Sequence, residues 1–249
     1  TDAGVLTAVD CGSAEVPGCM DVLAFNYNPS ASIEDGSCVV IGLSLQGVID
    51  FTIPNSSVGN SGRGLHFKAL EDISDLSVYG FGIANNSSGS DGQEYSFESI
   101  AVFAGEDILI LKDPQAMEDY LGDCYSVFEH ILEFPDTTNV HNFTGDDAVE
   151  VFMSGELIET FGDVNIDGTG QDWEYLDSWA YKIDGEWTYG GVNCTDNSET
   201  SLSSSCVYPI CLDVQGCTDD TCPFIQEICT DPLDNNYYCN LCSTESIAT

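Results

Sequence analysis

The run Asp163-Val164-Asn165-Ile166-Asp167-Gly168, followed by Thr169 and Glu174, sets oxygen-bearing groups at a regular spacing. Counted from Asp163, side-chain oxygens fall at the first, third and fifth positions. Glycine stands at the sixth, the Thr169 carbonyl is available at the seventh, and Glu174 is the twelfth. That is the ligand order of a loop that wraps a hard divalent cation of calcium's size, with Gly168 allowing the sharp turn. The same residues also make an Asx-rich turn that needs no ion. Upstream, Ala148–Met153 and Glu156–Phe161 read as two short strands joined by Ser154-Gly155, a two-residue turn in which glycine tolerates positive φ. Calcium would therefore sit in an isolated loop that leaves a strand, not between two helices.

Other residues capable of chemistry form weaker patterns. Asp21, Asn26, Asn28 and Asp35 offer oxygens to the backbone of their own turns or, as the less favoured reading, to a second cation. Trp173, Tyr175, Trp179 and Tyr181 recur at even spacing, as on one face of a strand, and Trp187 and Tyr189 return after an Asp184-Gly185 turn. Such a face either packs a core or stacks on sugar rings, with Trp173, Trp179 and Trp187 as the stacking candidates. His66, His130 and His141 fall in no metalloprotease pattern, and no G-x-S-x-G or phosphate-cradling loop is present. Asp146 or Asp147 with Glu150 is a carboxylate pair of the kind glycoside hydrolysis uses, a pairing that chance also supplies among 43 acidic residues. Catalysis is not expected. Sequons at Asn55, Asn85, Asn86, Asn142 and Asn193 are possible glycan sites.

Four basic residues against 43 acidic ones give a net charge of −39. Phosphate backbones and anionic membrane surfaces are repelled by such a chain, so nucleic acid is excluded as a partner. Cations are attracted, and an ion-rich extracellular medium screens the self-repulsion. With 43% apolar residues the chain is not an acidic disordered tail. No apolar stretch is long enough to span a membrane, and the start at Thr1 without a methionine or apolar leader fits a mature secreted form.

The 12 cysteines fall unevenly. Cys11, Cys19 and Cys38 lie near the start, Cys124 and Cys194 in the middle, and Cys206, Cys211, Cys217, Cys222, Cys229, Cys239 and Cys242 near the end. Only Cys239 and Cys242 have zinc-knuckle spacing, so the set reads as disulfides formed in an oxidising compartment. Pairing Cys19 with Cys38 and Cys124 with Cys194 leaves Cys11 and the seven late cysteines, which are even only together; Cys11 is then expected to bond into the tail, within the chain or to a neighbour.

From Ile41 onward, short alternating segments at 43–53, 64–69, 76–83, 95–103 and 107–111 are separated by Gly, Ser and Asn clusters, the pattern of an all-β sandwich. One helix is expected, with Asp113 as N-cap, Pro114 in the first turn, Tyr120 and Leu121 on the buried face and Gly122 as the stop; a helical turn over 124–132 follows. Three pieces result: an acidic cysteine-bounded segment over 1–40, a sandwich over 41–193 and a cysteine-rich segment over 194–249.

Two resemblances add to this reading. GCMDVLAFNYNPSASIEDGSC resembles a short cysteine-bounded repeat found in secreted proteins of marine bacteria and algae. Residues about 42–190 resemble a lamin-tail domain, through GRGLHFKALEDISDLSVYGFGIAN, Ala104-Gly105-Glu106-Asp107-Ile108-Leu109, and the stretch from Gly145-Asp146-Asp147-Ala148-Val149-Glu150 to Trp179-Ala180-Tyr181. The second resemblance implies an immunoglobulin-like sandwich and a non-catalytic role in adhesion, anchoring or spacing. Together these point to a secreted, calcium-stabilised structural subunit of an extracellular assembly such as a filament, sheath, surface layer or adhesive matrix. Its partners would be further copies or other matrix and surface proteins. The alternatives are a carbohydrate-binding or adhesion module and an accessory region of a secreted hydrolase.

Overall fold

A computed structural model describes residues 15–54, 61–135, 140 and 142–212. In chain order its strands are β1 (Pro17–Gly18), β2 (Ile33–Glu34), β3 (Leu43–Asp50), β4 (Arg63–Ala69), β5 (Tyr79–Ala84), β6 (Tyr95–Ser96), β7 (Asp107–Leu111), β8 (His130–Glu133), β9 (Ala148–Met153), β10 (Glu156–Phe161), β11 (Ser178–Ile183) and β12 (Glu186–Tyr189). One α-helix, α1, spans Pro114–Leu121. Six strands form one sheet in the order β12-β11-β3-β4-β7-β8, and four form another in the order β10-β9-β5-β6; β1 and β2 pair separately. Both larger sheets are antiparallel except where β8 runs parallel to β7.

Alternation decides what each strand buries. Leu43, Leu45, Val48, Leu65, Phe67, Ile108 and Ile110 of the larger sheet meet Phe81, Ile83, Val149, Val151 and Phe161 of the smaller one in a shared core. The opposite face of the larger sheet is also buried. Ile49, Leu109, Leu111 and Trp179 lie under Met117, Tyr120, Leu121 and Cys124, and under Cys206, Tyr208 and Cys211 from the later chain. The uninterrupted run Ile108-Leu109-Ile110-Leu111 is what a strand covered on both faces requires. At Gly47, where β3 shifts register against β4, a Cβ would overlap the Tyr208 hydroxyl, so the missing side chain makes room for the covering layer.

The helix follows its expected signals. Asp113 accepts from the Ala116 N–H, Pro114 opens the first turn, Met117, Tyr120 and Leu121 are buried, and Gly122 leaves with φ of 60°. The β9–β10 hairpin also has its expected bounds, with Ser154 and Gly155 at φ of 54° and 83°. Strand β7 has its expected bounds and β4 gains one residue, while the strands expected over 43–53, 76–83 and 95–103 are shorter. Residues 76–78 form a 3₁₀ turn because Asp75 caps the Ser77 N–H, and 97–103 contributes only a bridge between Ile73 and Val102. Helical geometry after α1 ends at Val127, and the chain then enters β8.

The cysteine pairing differs from expectation beyond Cys19–Cys38. Cys124 bonds Cys211, and Cys194 bonds Cys206. The chain doubles back between Cys194 and Cys206, with the Ser205 N–H donating to the Cys194 carbonyl, and this brings Cys211 over the end of α1. Residues 194–212 thus pack as a layer on the larger sheet. No helix among the described residues is long and apolar enough to cross a membrane.

Peptide mapping without reduction should return fragments joining Cys124 to Cys211 and Cys194 to Cys206. Cutting the first bridge with Cys124→Ser and Cys211→Ser should cost about 2–5 kcal/mol in thermal unfolding. A Cys124–Cys194 fragment would contradict this fold.

Candidate functional site

The loop after β10 is closed by its own hydrogen bonds. Asp163 Oδ1 accepts from the Asn165 N–H and Asp167 Oδ1 from the Thr169 N–H, both at 2.9 Å, while Glu174 Oε2 accepts from the Gly170 N–H at 2.7 Å. The bonds from Thr169 hold the Asp167 carboxyl below its ordinary value. Thr169 Oγ1 donates to Asp146, and the Gly168 N–H to the Asp146 carbonyl. The carboxylates of Asp163, Asp167 and Glu174 do not converge on one point. Among the described residues, the one group of three such ligand atoms within 4.8 Å is Cys19, Glu34 and Cys38, whose sulfurs are joined in a disulfide.

Asp21, Asn26, Asn28 and Asp35 likewise serve backbone. Asp21, Asn28 and Asp35 each accept from the N–H two residues on, and Asn26 bridges the Val39 N–H and the Ser37 carbonyl. Asp147 is buried, accepting from the N–H groups of Asn86 and Thr144; burial pushes its carboxyl upward and Asp146 adds to this, against those two bonds. Glu150 stands in the ladder between Gly82 and Thr160 with 3% exposure, and its side chain makes no hydrogen bond or ion pair among the described residues.

The aromatic residues do not share one face. Strand β11 begins only at Ser178, so Tyr175 packs into the core between the sheets while Trp179 lies under the covering layer, its Nε1–H donating to the Cys206 carbonyl at 3.0 Å. Trp173 and Trp187 are half-buried, both edge-on to Phe161, with the Lys182 ammonium 5.0 Å from the Trp187 ring centre. Asn85, Asn86, Asn142 and Asn193 are exposed, but Thr195 of the last sequon is buried and its hydroxyl is engaged by Thr52 and Asp177. Asn55, Cys11, Cys217, Cys222, Cys229, Cys239 and Cys242 lie outside the described residues.

The polar centre that sequence reading missed is internal. His66 on β4 is fully buried, with Nε2 2.8 Å from Asp107 Oδ1 and Nδ1 3.0 Å from the Tyr208 hydroxyl. A carboxylate only accepts, so Nε2 carries the proton and Nδ1 accepts from Tyr208. Burial holds the imidazole neutral, lowering its affinity for a second proton, although Asp107 opposes this. The Lys68 ammonium reaches Asp107 Oδ2 at 2.6 Å. Burial alone would raise the Asp107 carboxyl, but the bonds from His66 and Lys68 prevail and leave it low. A hydroxyl–imidazole–carboxylate series is what nucleophilic catalysis uses. Here the Tyr208 ring is wholly enclosed and its hydroxyl is committed to His66, so the series joins layers of the fold.

A second buried pair joins β3 to β4: Asp50 meets Arg63 at 3.4 Å and accepts from the Gly145 N–H at 3.0 Å. Burial, with Asp177 nearby, pushes the Asp50 carboxyl up to about 6 against the pull of Arg63. Lys182 pairs with Glu159 across the two sheets. Comparison with protein-family models, with curated proteins and with solved structures finds no match.

The two buried groups make stability depend on pH. The raised Asp50 carboxyl contributes stability that is full below its unfolded value of 3.8 and is lost as pH rises through about 6. The depressed His66 imidazole works oppositely, its contribution being full above 6.5 and lost as pH falls. The native chain should therefore gain about 3 kcal/mol of stability relative to Asp50→Asn as pH falls from 7 to 4, read as a divergence of their melting temperatures; parallel profiles would contradict the assignment.

Proposed function

We propose that this chain is a secreted, non-enzymatic structural module of an extracellular assembly, such as a filament, sheath, surface layer or adhesive matrix. The observation that carries the reading is the use made of its reactive side chains. His66, Asp107 and Tyr208, the set best suited to chemistry, are enclosed and bind one layer to the next. Arg63, Lys68 and Lys182 are each committed to an acidic partner within the fold. Three disulfides support an oxidising compartment. The lamin-tail resemblance of residues about 42–190 supports an immunoglobulin-like form of the sandwich and, with it, a role in anchoring or spacing. Calcium is not required by this reading, because the Asp163 loop closes on its own backbone.

Electron microscopy of material from the native source should show ordered assemblies that contain the chain and persist in a calcium chelator. Isolated particles under every condition would defeat the structural role. Assemblies that dissolve in chelator and re-form with calcium would restore the ion as a necessary part.

A further inference from the structure

The segment between Val16 and Val40 is built with its polarity reversed. Its interior is held by the Cys19–Cys38 bridge and by polar groups: Asn26 spans Val39 and Ser37, Glu34 accepts from the Met20 and Gly36 N–H groups, and the Asn28 N–H donates to the Cys19 carbonyl. The buried residues are small, Gly18, Cys19 and Ala24. Large apolar side chains point outward instead. Leu23 is 88% exposed, Val22 69%, Val40 57%, Met20 46%, Phe25 42% and Tyr27 41%. Over half of the exposed large apolar side chains among the described residues lie in this one short segment. Val22 and Leu23 form the corner of the turn from Asp21 to Ala24, and the Phe25 N–H donates to the Val39 carbonyl, placing Phe25 beside Val39 and Val40.

Single exposed apolar residues are ordinary, but a concentration in a segment whose own folding does not use them marks a contact surface. Charge decides what it contacts. Asp21, Glu34 and Asp35 are all exposed on this segment, with Glu15 exposed just before it, and the segment contains no Lys or Arg. A second copy at −39 would set acid against acid, and residues 213–249 carry acidic but no basic side chains. An anionic lipid surface is repelled for the same reason. A basic rim around an apolar centre complements it.

We propose that the module closed by Cys19–Cys38 is a docking surface for a cationic protein whose apolar contact patch is ringed by Lys and Arg. This deepens the assembly reading by giving one partner its chemistry, and it fails separately, since imaging tests assembly and binding tests the module. The probe is a synthetic amphipathic peptide with Leu and Phe on one face and Lys on the other, titrated against the full chain by fluorescence anisotropy. Two controls accompany it, one with Ser for the apolar residues and one with Glu for Lys. The Leu/Lys peptide should bind the native chain and bind ~10-fold more weakly when Val22→Ser and Leu23→Ser are introduced together. The Ser/Lys control should show only weak, salt-sensitive attraction, equal for both chains, and the Glu control none. Both substituted sites are exposed, so an unchanged melting temperature confirms the fold. Equal affinity of native and variant chains for the Leu/Lys peptide would overturn the proposal, as would Ser/Lys binding as tight as Leu/Lys. Sedimentation showing a dimer that the double variant abolishes would overturn it in favour of a second copy.

Discussion

The hydrogen-bonded series from Tyr208 through His66 to Asp107 and Lys68 is the constraint on which the architecture turns. His66 sits in β4, near the middle of the six-stranded sheet, on the face directed away from the four-stranded sheet. An imidazole there cannot be left without partners, because an unsatisfied buried polar group costs about 1–3 kcal/mol. Asp107 on β7 supplies one partner, and Tyr208, arriving more than a hundred residues later, supplies the other. The covering layer is thus positioned by a directional bond as well as by apolar area. Tyr120 with Ser198, Trp179 with Cys206, and the Cys124–Cys211 bridge hold the rest of it in register.

The same scarcity that makes the chain so acidic leaves four basic residues, three of which have a defined task. Arg63 joins β3 to β4, Lys68 completes the Asp107 centre, and Lys182 ties Glu159 of one sheet to the strand beside β3 in the other. Positive charge is spent inside, where low dielectric makes it most effective, and carboxylates are left to cover the surface. An outer face of nearly one sign discourages self-contact at low salt and favours cationic neighbours. The apolar residues at the corner of the small amino-terminal module are then the natural place for such a neighbour to gain specificity.

Local features were legible in the sequence and long-range ones were not. The β9–β10 hairpin and α1 carry their determinants within a few residues, a Ser-Gly turn in one case and the Asp113, Pro114 and Gly122 signals in the other. The Cys19–Cys38 bridge closes a short loop and was equally readable. Pairing of Cys124 with Cys211 depends on a chain reversal near Cys194 that leaves no periodic trace. The even spacing of Trp173, Tyr175, Trp179 and Tyr181 suggested one strand face, yet the chain is irregular until Ser178, so Tyr175 and Trp179 enter different cores. The Asp163 spacing fits both an ion loop and a pair of Asx turns, and ligand order alone does not separate them. His66 had no motif to announce it, although the apolar run of β7 already implied a second buried face beside it.

Whether the covering layer and the sandwich are one cooperative unit is tested most directly by native-state hydrogen exchange. The Thr195, Ser205 and Cys211 amides of the cover, all hydrogen-bonded to backbone carbonyls, are to be compared with those of β4. A common opening free energy for the two sets, falling together in Tyr208→Phe, is expected if the Tyr208–His66 bond joins them. Exchange of the cover amides orders of magnitude faster than β4, with β4 unaffected by the substitution, would show the cover to be an appended segment and would contradict the central role given to His66.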